Sequence, residues 1–274
     1  PVHISHENVT DVTAPLLDEA ARRSDLTFES YLYPAGCTHL ALMLPIWAQV
    51  GGPDGIRRRL RDAATRARLR AALDAKFAEA RKNGERAVFV ANQTGRYIGL
   101  DIETAAQAEG LPVADFALKI LAEEHPYALM VYHRGGTPEQ QTEIIRQTAR
   151  HPRMLVASDG IYHGPHAHPR GYGCFSRVLR LAVRELGAIG LETAVYKMSG
   201  FPAERFGLKD RGRIAPGFGA DLVIFDPDTV ADRATWDEPR REPTGVRRVL
   251  VNGATVVENG TPTGALPGRV LGNN

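Results

Sequence analysis

The sequence predicts an α/β fold in which βα units surround a parallel sheet or barrel and a smaller β module follows. Three observations predict it. Short β-rich runs alternate with helical segments through about the first two hundred residues, as βα units do. From Lys209 onward the helix signals thin out and strand and turn signals take over. With 274 residues, the chain is long enough to bury a sizeable core, either as one large α/β domain or as a barrel fragment with a satellite.

The elements follow in order. Strands are expected at residues 2–6, 26–30, 87–91, 128–132 and 154–158, where apolar and β-branched residues cluster. Between them, helical spacing marks residues 14–23, 55–81, 113–124 and 138–149. The last of these starts well: Thr137 can cap it, Pro138 suits the first turn, and Gln140 holds the capping-box position. Further helices are expected at residues 176–186, 191–198 and 202–206. Residues 48–128 carry more helix than one βα unit needs, so this stretch is partly an insertion over the mouth of the site, within a first domain spanning residues 1–208. Residues 209–274 form the β module, with Asn252-Gly253 between two apolar runs as a hairpin turn.

Composition excludes several functions. A net charge of +2 is too small to demand a polyanionic partner. The densest basic stretch, Arg57-Arg58-Arg59-Leu60-Arg61, interleaves with leucines and isoleucine at helical spacing and lacks aromatics for base stacking, so it is a solvated helix face and no nucleic-acid partner is expected. Cys37 and Cys174, unpaired in spacing, indicate neither a disulfide framework nor a zinc ribbon and fit a reducing cytoplasm. No apolar run reaches membrane-spanning length, so no membrane partner is expected. The chain opens at Pro1 inside a strand pattern, which fits either removal of a methionine or absence of upstream sequence.

The chemistry concentrates at strand ends. Asp159 follows the run Met154-Leu155-Val156-Ala157-Ser158 and opens a loop holding His163, His166, His168 and Arg170. A carboxylate at the C-terminal end of a barrel strand, followed by imidazoles and a guanidinium, is what a metal-assisted hydrolase presents to substrate; a strand-ending Asp that only caps a turn is the plainer alternative. His6 ends the first run, and alternation puts it on the face of Val2 and Ile4, as a zinc ligand or a hydrogen-bonded structural histidine. Tyr31 and Tyr33 pass from strand into loop and offer phenolic donors at the same end of the sheet, or simply pack there. The imidazoles of the loop 162–170 could bind a metal themselves, but its Pro and Gly content favours a shaped substrate loop.

These residues carry a resemblance. Ala157-Ser158-Asp159-Gly160, His168-Pro169-Arg170-Gly171-Tyr172-Gly173, the run Met198-Ser199-Gly200-Phe201-Pro202-Ala203-Glu204-Arg205-Phe206-Gly207-Leu208, and Pro216-Gly217-Phe218-Gly219-Ala220-Asp221-Leu222-Val223 resemble the D-aminoacylases, N-acyl-D-amino-acid deacylases of the amidohydrolase superfamily. Ser5-His6 and the cluster 31–38 resemble the family's upstream motifs. The resemblance implies the later strands of a (β/α)8 barrel with the C-terminal share of a small β-sandwich. It also implies that His6 and Asp159 are metal ligands, that Arg170 and Tyr31 hold the substrate carboxylate, and that Cys37 occupies a small polar position of the same pocket. The family's His-x-His pair and further ligands lie upstream of Ser5-His6 and are not in this chain, which therefore resembles about the C-terminal half of a member and is expected to need a missing N-terminal half or a second polypeptide.

The implied activity is zinc-dependent removal of N-acyl groups from D-amino acids, with zinc-bound hydroxide attacking the amide carbonyl and Asp159 as general acid and base. Asn8 stands where the family often has lysine, which leaves open another amide, such as a cyclic one. A catalytically incomplete chain is the reading from another class. No Gly-x-Ser-x-Gly elbow supports a serine hydrolase.

Overall fold

The structure is a computed structural model that describes residues 1–124 and 128–271; parts of the expected insertion and the last three residues of the β module lie outside the described residues. In chain order the elements are β1 (Val2–Ile4), α1 (Thr13–Arg23), β2 (Leu26–Ser30), β3 (Ala35–His39), α2 (Ile46–Gln49), α3 (Gly52–Arg61), α4 (Ala63–Asn83), β4 (Arg86–Ala91), α5 (Ile102–Ala108), α6 (Val113–Glu123), β5 (Leu129–His133), α7 (Pro138–Arg150), β6 (Met154–Val156), α8 (Arg170–Arg177), α9 (Leu191–Met198), α10 (Gly200–Arg205), β7 (Leu222–Phe225), β8 (Val246–Val251), β9 (Ala254–Glu258) and β10 (Thr261–Pro262). They form two compact units: Pro1–Tyr33, Glu139–Gly160 and Pro169–Asn274 make the first, and Pro34–Pro138 with Ile161–His168 make the second.

The first unit holds a parallel sheet of order β1-β2-β6, with Val2 opposite Leu26 and Phe28 opposite Met154. Its two faces differ because side chains alternate. Leu26, Phe28, Met154 and Val156 turn to a core shared with Leu17, Ile145, Cys174 and Val178, from the flanking helices and the wider π-type turns at Val178–Glu185 that continue α8. The other face carries His3, Thr27 and Glu29, an unusually polar set for buried parallel strands. Lys197 of α9 is buried and ties the start of β6 to its helix, donating from Nζ to the carbonyls of His151 (2.6 Å) and Met154 (3.0 Å).

The same unit ends in an antiparallel sheet of order β10-β9-β8-β7. Asn252 (φ 46°) and Gly253 (φ 82°) turn β8 into β9, the left-handed pair a two-residue hairpin needs. None of the four strands contributes a buried residue, and Val223 and Ile224 are 56% and 48% exposed.

The second unit corrects part of the expected topology. The runs expected at 87–91 and 128–132 do not join the parallel sheet: β4 and β5 pair antiparallel with β3 in the order β3-β5-β4. β3 was not among the expected strands; Ala-Gly-Cys-Thr-His has weak strand propensity, and pairing with β5 supplies what propensity does not. The helix expected at 55–81 is two helices, α3 and α4, broken at Asp62, whose extended backbone (φ −81°, ψ 118°) lets its carboxylate accept from Thr65 N at 2.7 Å. Leu69, Leu73, Phe89, Phe116 and Leu121 form the unit's core. Among the described residues no helix is long and apolar enough to cross a membrane.

Candidate active site at three strand ends

Each strand of the parallel sheet runs into a residue in left-handed conformation that is not glycine: His6 (φ 60°) beyond β1, Leu32 (φ 54°) beyond β2, and Asp159 (φ 44°) beyond β6. Such backbone costs of order 1 kcal/mol or more per residue and recurs where function dictates conformation. The first of these turns corrects the expected orientation of His6. β1 ends at Ile4, whose side chain packs on the helix-facing core, and the left-handed turn at His6 carries its ring to the opposite face, against Glu29.

There His6 meets two carboxylates. Its Nε2 lies 3.3 Å from Asp159 Oδ1, and its Nδ1 lies 3.3 Å from Glu29 Oε1. The Nδ1 atom is buried and makes no hydrogen bond of acceptable geometry. Tyr31, the first residue after β2, tilts its ring against His6 with centroids 5.9 Å apart.

Arg170 opens α8 and is 1% exposed. Its Nη2 pairs with Asp159 Oδ2, its Nε donates to the Asp159 carbonyl at 2.8 Å, and its guanidinium lies 4.4 Å from the centre of the Tyr31 ring. Behind it, the Cys174 thiol donates toward the Ala157 carbonyl at 3.5 Å, and burial pushes its pKa up to about 12, so this sulfur stays protonated. A second such layer lies below: Arg177 sits 4.4 Å from the Tyr33 ring, donates to the Leu32 carbonyl at 3.1 Å and faces Asp232. Burial raises the Tyr33 phenol well above its ordinary value.

His6, Tyr31, Asp159 and Arg170 are thus brought together in the first unit. Cys37 lies in the second, buried on β3 opposite Val131. Asn8 is buried, and its Oδ1 accepts from Ser30 Oγ at 2.7 Å. The histidines of the loop 162–170 scatter: His168 is buried and bonded to the Ala35 carbonyl at 3.1 Å, while His163 lines an apolar groove of about 750 Å³ with His39, Val90, Leu129 and Ile161, within the second unit. Sequence reasoning assigned no role to Glu29, although an acid at the end of a buried strand, alternating with Thr27, was a signal.

An imidazole nitrogen and a carboxylate oxygen aimed at each other suit zinc in kind. They fall short in number, because a catalytic zinc takes about three protein ligands and, among the described residues, no group of three histidines, cysteines or acids gathers to hold a metal. The facing pair, His6 Nε2 and Asp159 Oδ1, fits one side of a metal site whose other donors are not among these residues.

Such a fold and cluster define an α/β protein with a polar site at the carboxyl ends of parallel strands. Residues 59–257 match the amidohydrolase family, and the chain belongs to it. It is 34% identical over 279 residues to the D-aminoacylase of Alcaligenes xylosoxydans xylosoxydans, covering 99% of this chain and 48% of that protein. It is 49% identical over 127 residues to the N-acyl-D-glutamate deacylase of the same organism, covering 46% and 26%. Among solved structures, a D-aminoacylase studied for its binuclear metal centre superposes with a TM-score of 0.72 at 31% identity over 97% of this chain and 48% of its own. An N-acyl-D-glutamate deacylase from Bordetella bronchiseptica, complexed with zinc and a phosphonate mimic of the tetrahedral intermediate, gives 0.66 at 29% identity over 95% and 48%. The chain spans about half the length of the relative it matches end to end.

Proposed function

We propose that these residues are the C-terminal half of a zinc-dependent N-acyl-D-amino-acid deacylase, and that the site completes only with an N-terminal half. The observation that carries the reading is the His6–Asp159 pair, 3.3 Å apart at the ends of parallel strands, beside a buried arginine. On this reading β1, β2 and β6 are later staves of a (β/α)8 barrel within a domain of residues 1–208, with about 48–128 an insertion. The sheet of residues 209–274 is then part of a β-sandwich whose remaining strands lie outside this chain, which accounts for strands without a buried residue.

His6 and Asp159 would hold the metal from this side. When bound, zinc polarises the scissile carbonyl and brings the pKa of water to about 7. Arg170 and Tyr31 orient the substrate carboxylate, the planar guanidinium by two parallel hydrogen bonds. Asp159 takes a proton as water adds to the acyl carbon and delivers it to the amine nitrogen as the C–N bond breaks.

A second reading, hydrolysis of a cyclic amide, is favoured by Asn8, which is neutral and tied to Ser30, and by 31% identity over 134 residues to a dihydroorotase of Lactobacillus acidophilus. The test incubates the intact native polypeptide, with and without zinc, with N-acetyl-D-amino acids, their L-enantiomers and dihydroorotate. Zinc-dependent release of free amine from D-substrates is expected. Ring opening of dihydroorotate alone would install the second reading, and no turnover by the zinc-loaded intact protein would defeat both.

A further inference from the structure

We propose that Glu29 is a positioning residue that holds the His6 ring from behind, so that Nε2 stays aimed at Asp159. The proposal rests on the reading of His6 as a metal ligand and adds a residue which that reading does not contain.

Glu29 is well placed to do this. Its side chain is 15% exposed, and its two oxygens reach different imidazoles: Oε1 is 3.3 Å from His6 Nδ1, and Oε2 is 3.2 Å from His3 Nε2. His3 is itself fixed, with Nδ1 2.9 Å from Thr27 Oγ1 and its ring edge-on to Phe206. One end of the carboxylate is therefore anchored, and the other faces a buried ring nitrogen that has no hydrogen bond of its own. Glu29 Oε1 is the carboxylate oxygen paired with that nitrogen.

The need for such a hold follows from the backbone. His6 lies past the end of β1 in a left-handed turn, so strand pairing does not orient its ring. Tyr31 bounds the ring on one side, and rotation about the remaining torsion has to be stopped by a partner. Imidazoles that bind metal usually donate their second N–H to a carboxylate or carbonyl, which fixes tautomer and orientation and raises basicity.

The test measures zinc affinity of the intact native polypeptide by chelator competition for wild type, Glu29→Ala, Glu29→Gln, Glu29→Asp, His6→Ala and the Glu29→Ala/His6→Ala double variant. Glu29→Ala should raise the zinc Kd about 10–100-fold, the cost usual for such partners. Glu29→Asp should recover part of the loss, and KM at saturating zinc should stay near wild type. In the His6→Ala background, Glu29→Ala should add nothing, because coupled residues are not additive. If His6→Ala weakens zinc but both Glu29→Ala and Glu29→Gln leave Kd unchanged, or if the two losses simply add, the proposal is overturned and the reading of His6 stands. If His6→Ala leaves Kd unchanged, that reading falls and the proposal with it. Should Glu29→Ala fail to fold, Glu29→Gln decides: weaker zinc at an unaltered melting temperature supports the positioning role, and an unchanged Kd overturns it.

Discussion

Arg170 holds Asp159 twice, side chain to side chain through Nη2 and Oδ2, and side chain to backbone through Nε and the Asp159 carbonyl at 2.8 Å. The second bond matters because Asp159 sits at φ 44°, a conformation its neighbours must impose. Arg170 thus sets the position of the proposed proton carrier, in addition to its proposed role of offering charge to a substrate. A residue that only clamped substrate would, on mutation, raise KM and leave kcat alone.

Arg170→Lys is therefore expected to lower kcat as well as raise KM, each by about tenfold or more, since an ammonium cannot reproduce the fork that reaches both carboxylate and carbonyl. Steady-state kinetics of the intact protein on an N-acetyl-D-amino acid separates the two. A change in KM alone would restrict Arg170 to substrate binding.

Asp159→Asn keeps the shape of the side chain and removes its basicity. Turnover should fall by at least about 10³-fold, within the range that general acid–base groups supply, a larger loss than the weakening of zinc that a neutral ligand brings. Paired rate and metal measurements check this, and near-normal activity would remove Asp159 from the chemistry.

Much of this site was legible in the sequence because strand ends announce themselves: the alternating run at 26–30 and the apolar run at 154–156 stop where Tyr31 and Asp159 follow within three residues. The side that His6 faces was not legible. Alternation assigns it to the face of Ile4, and nothing local reports that the strand stops early and the backbone turns left-handed. The antiparallel sheet was hidden for a similar reason. Runs such as Val88-Phe89-Val90 are equally apolar in either pairing direction, and β3 contains so weak a strand sequence that its partner, β5, decides its conformation.

Gly164 tests the shaping of the loop 161–168. It adopts φ +78°, and a Cβ there would lie 1.8 Å from the Val90 carbonyl oxygen. Gly164→Ala should displace the loop from β4 and cost more than the roughly 1 kcal/mol of left-handed backbone alone, read as a lower melting temperature. A melting temperature equal to wild type would mean that the loop is not fixed to Val90.

The C-terminal sheet leads to a prediction about the isolated chain. Its strands bury no residue, and Val223 and Ile224, consecutive on β7 and so on opposite faces, stand open, an arrangement that sheets ordinarily relieve by packing further layers on their apolar faces. The 274-residue chain alone should bind an apolar fluorescent dye strongly, and joining it to the proposed N-terminal half should suppress that binding. Equal dye binding with and without that half would count against the composite sandwich.

Lys197 predicts a pH dependence whose sign is unusual for a lysine with partners. Burial lowers its pKa to about 8, against about 10.4 for a free side chain, although the carbonyls of His151 and Met154 accept its hydrogen bonds. Between those two values the unfolded chain holds a proton that the native chain has released, so unfolding takes up protons and stability rises with pH. Below pH 8 both states are charged and the native state bears the whole cost of the buried ammonium, a few kcal/mol at about 1.4 kcal/mol per unit. The difference in unfolding free energy between wild type and Lys197→Met, measured by denaturant titration from pH 7 to pH 10, should therefore shift in favour of wild type as pH rises through 8. A difference that stays flat across that range would show that the two carbonyls fully compensate the burial of the charge.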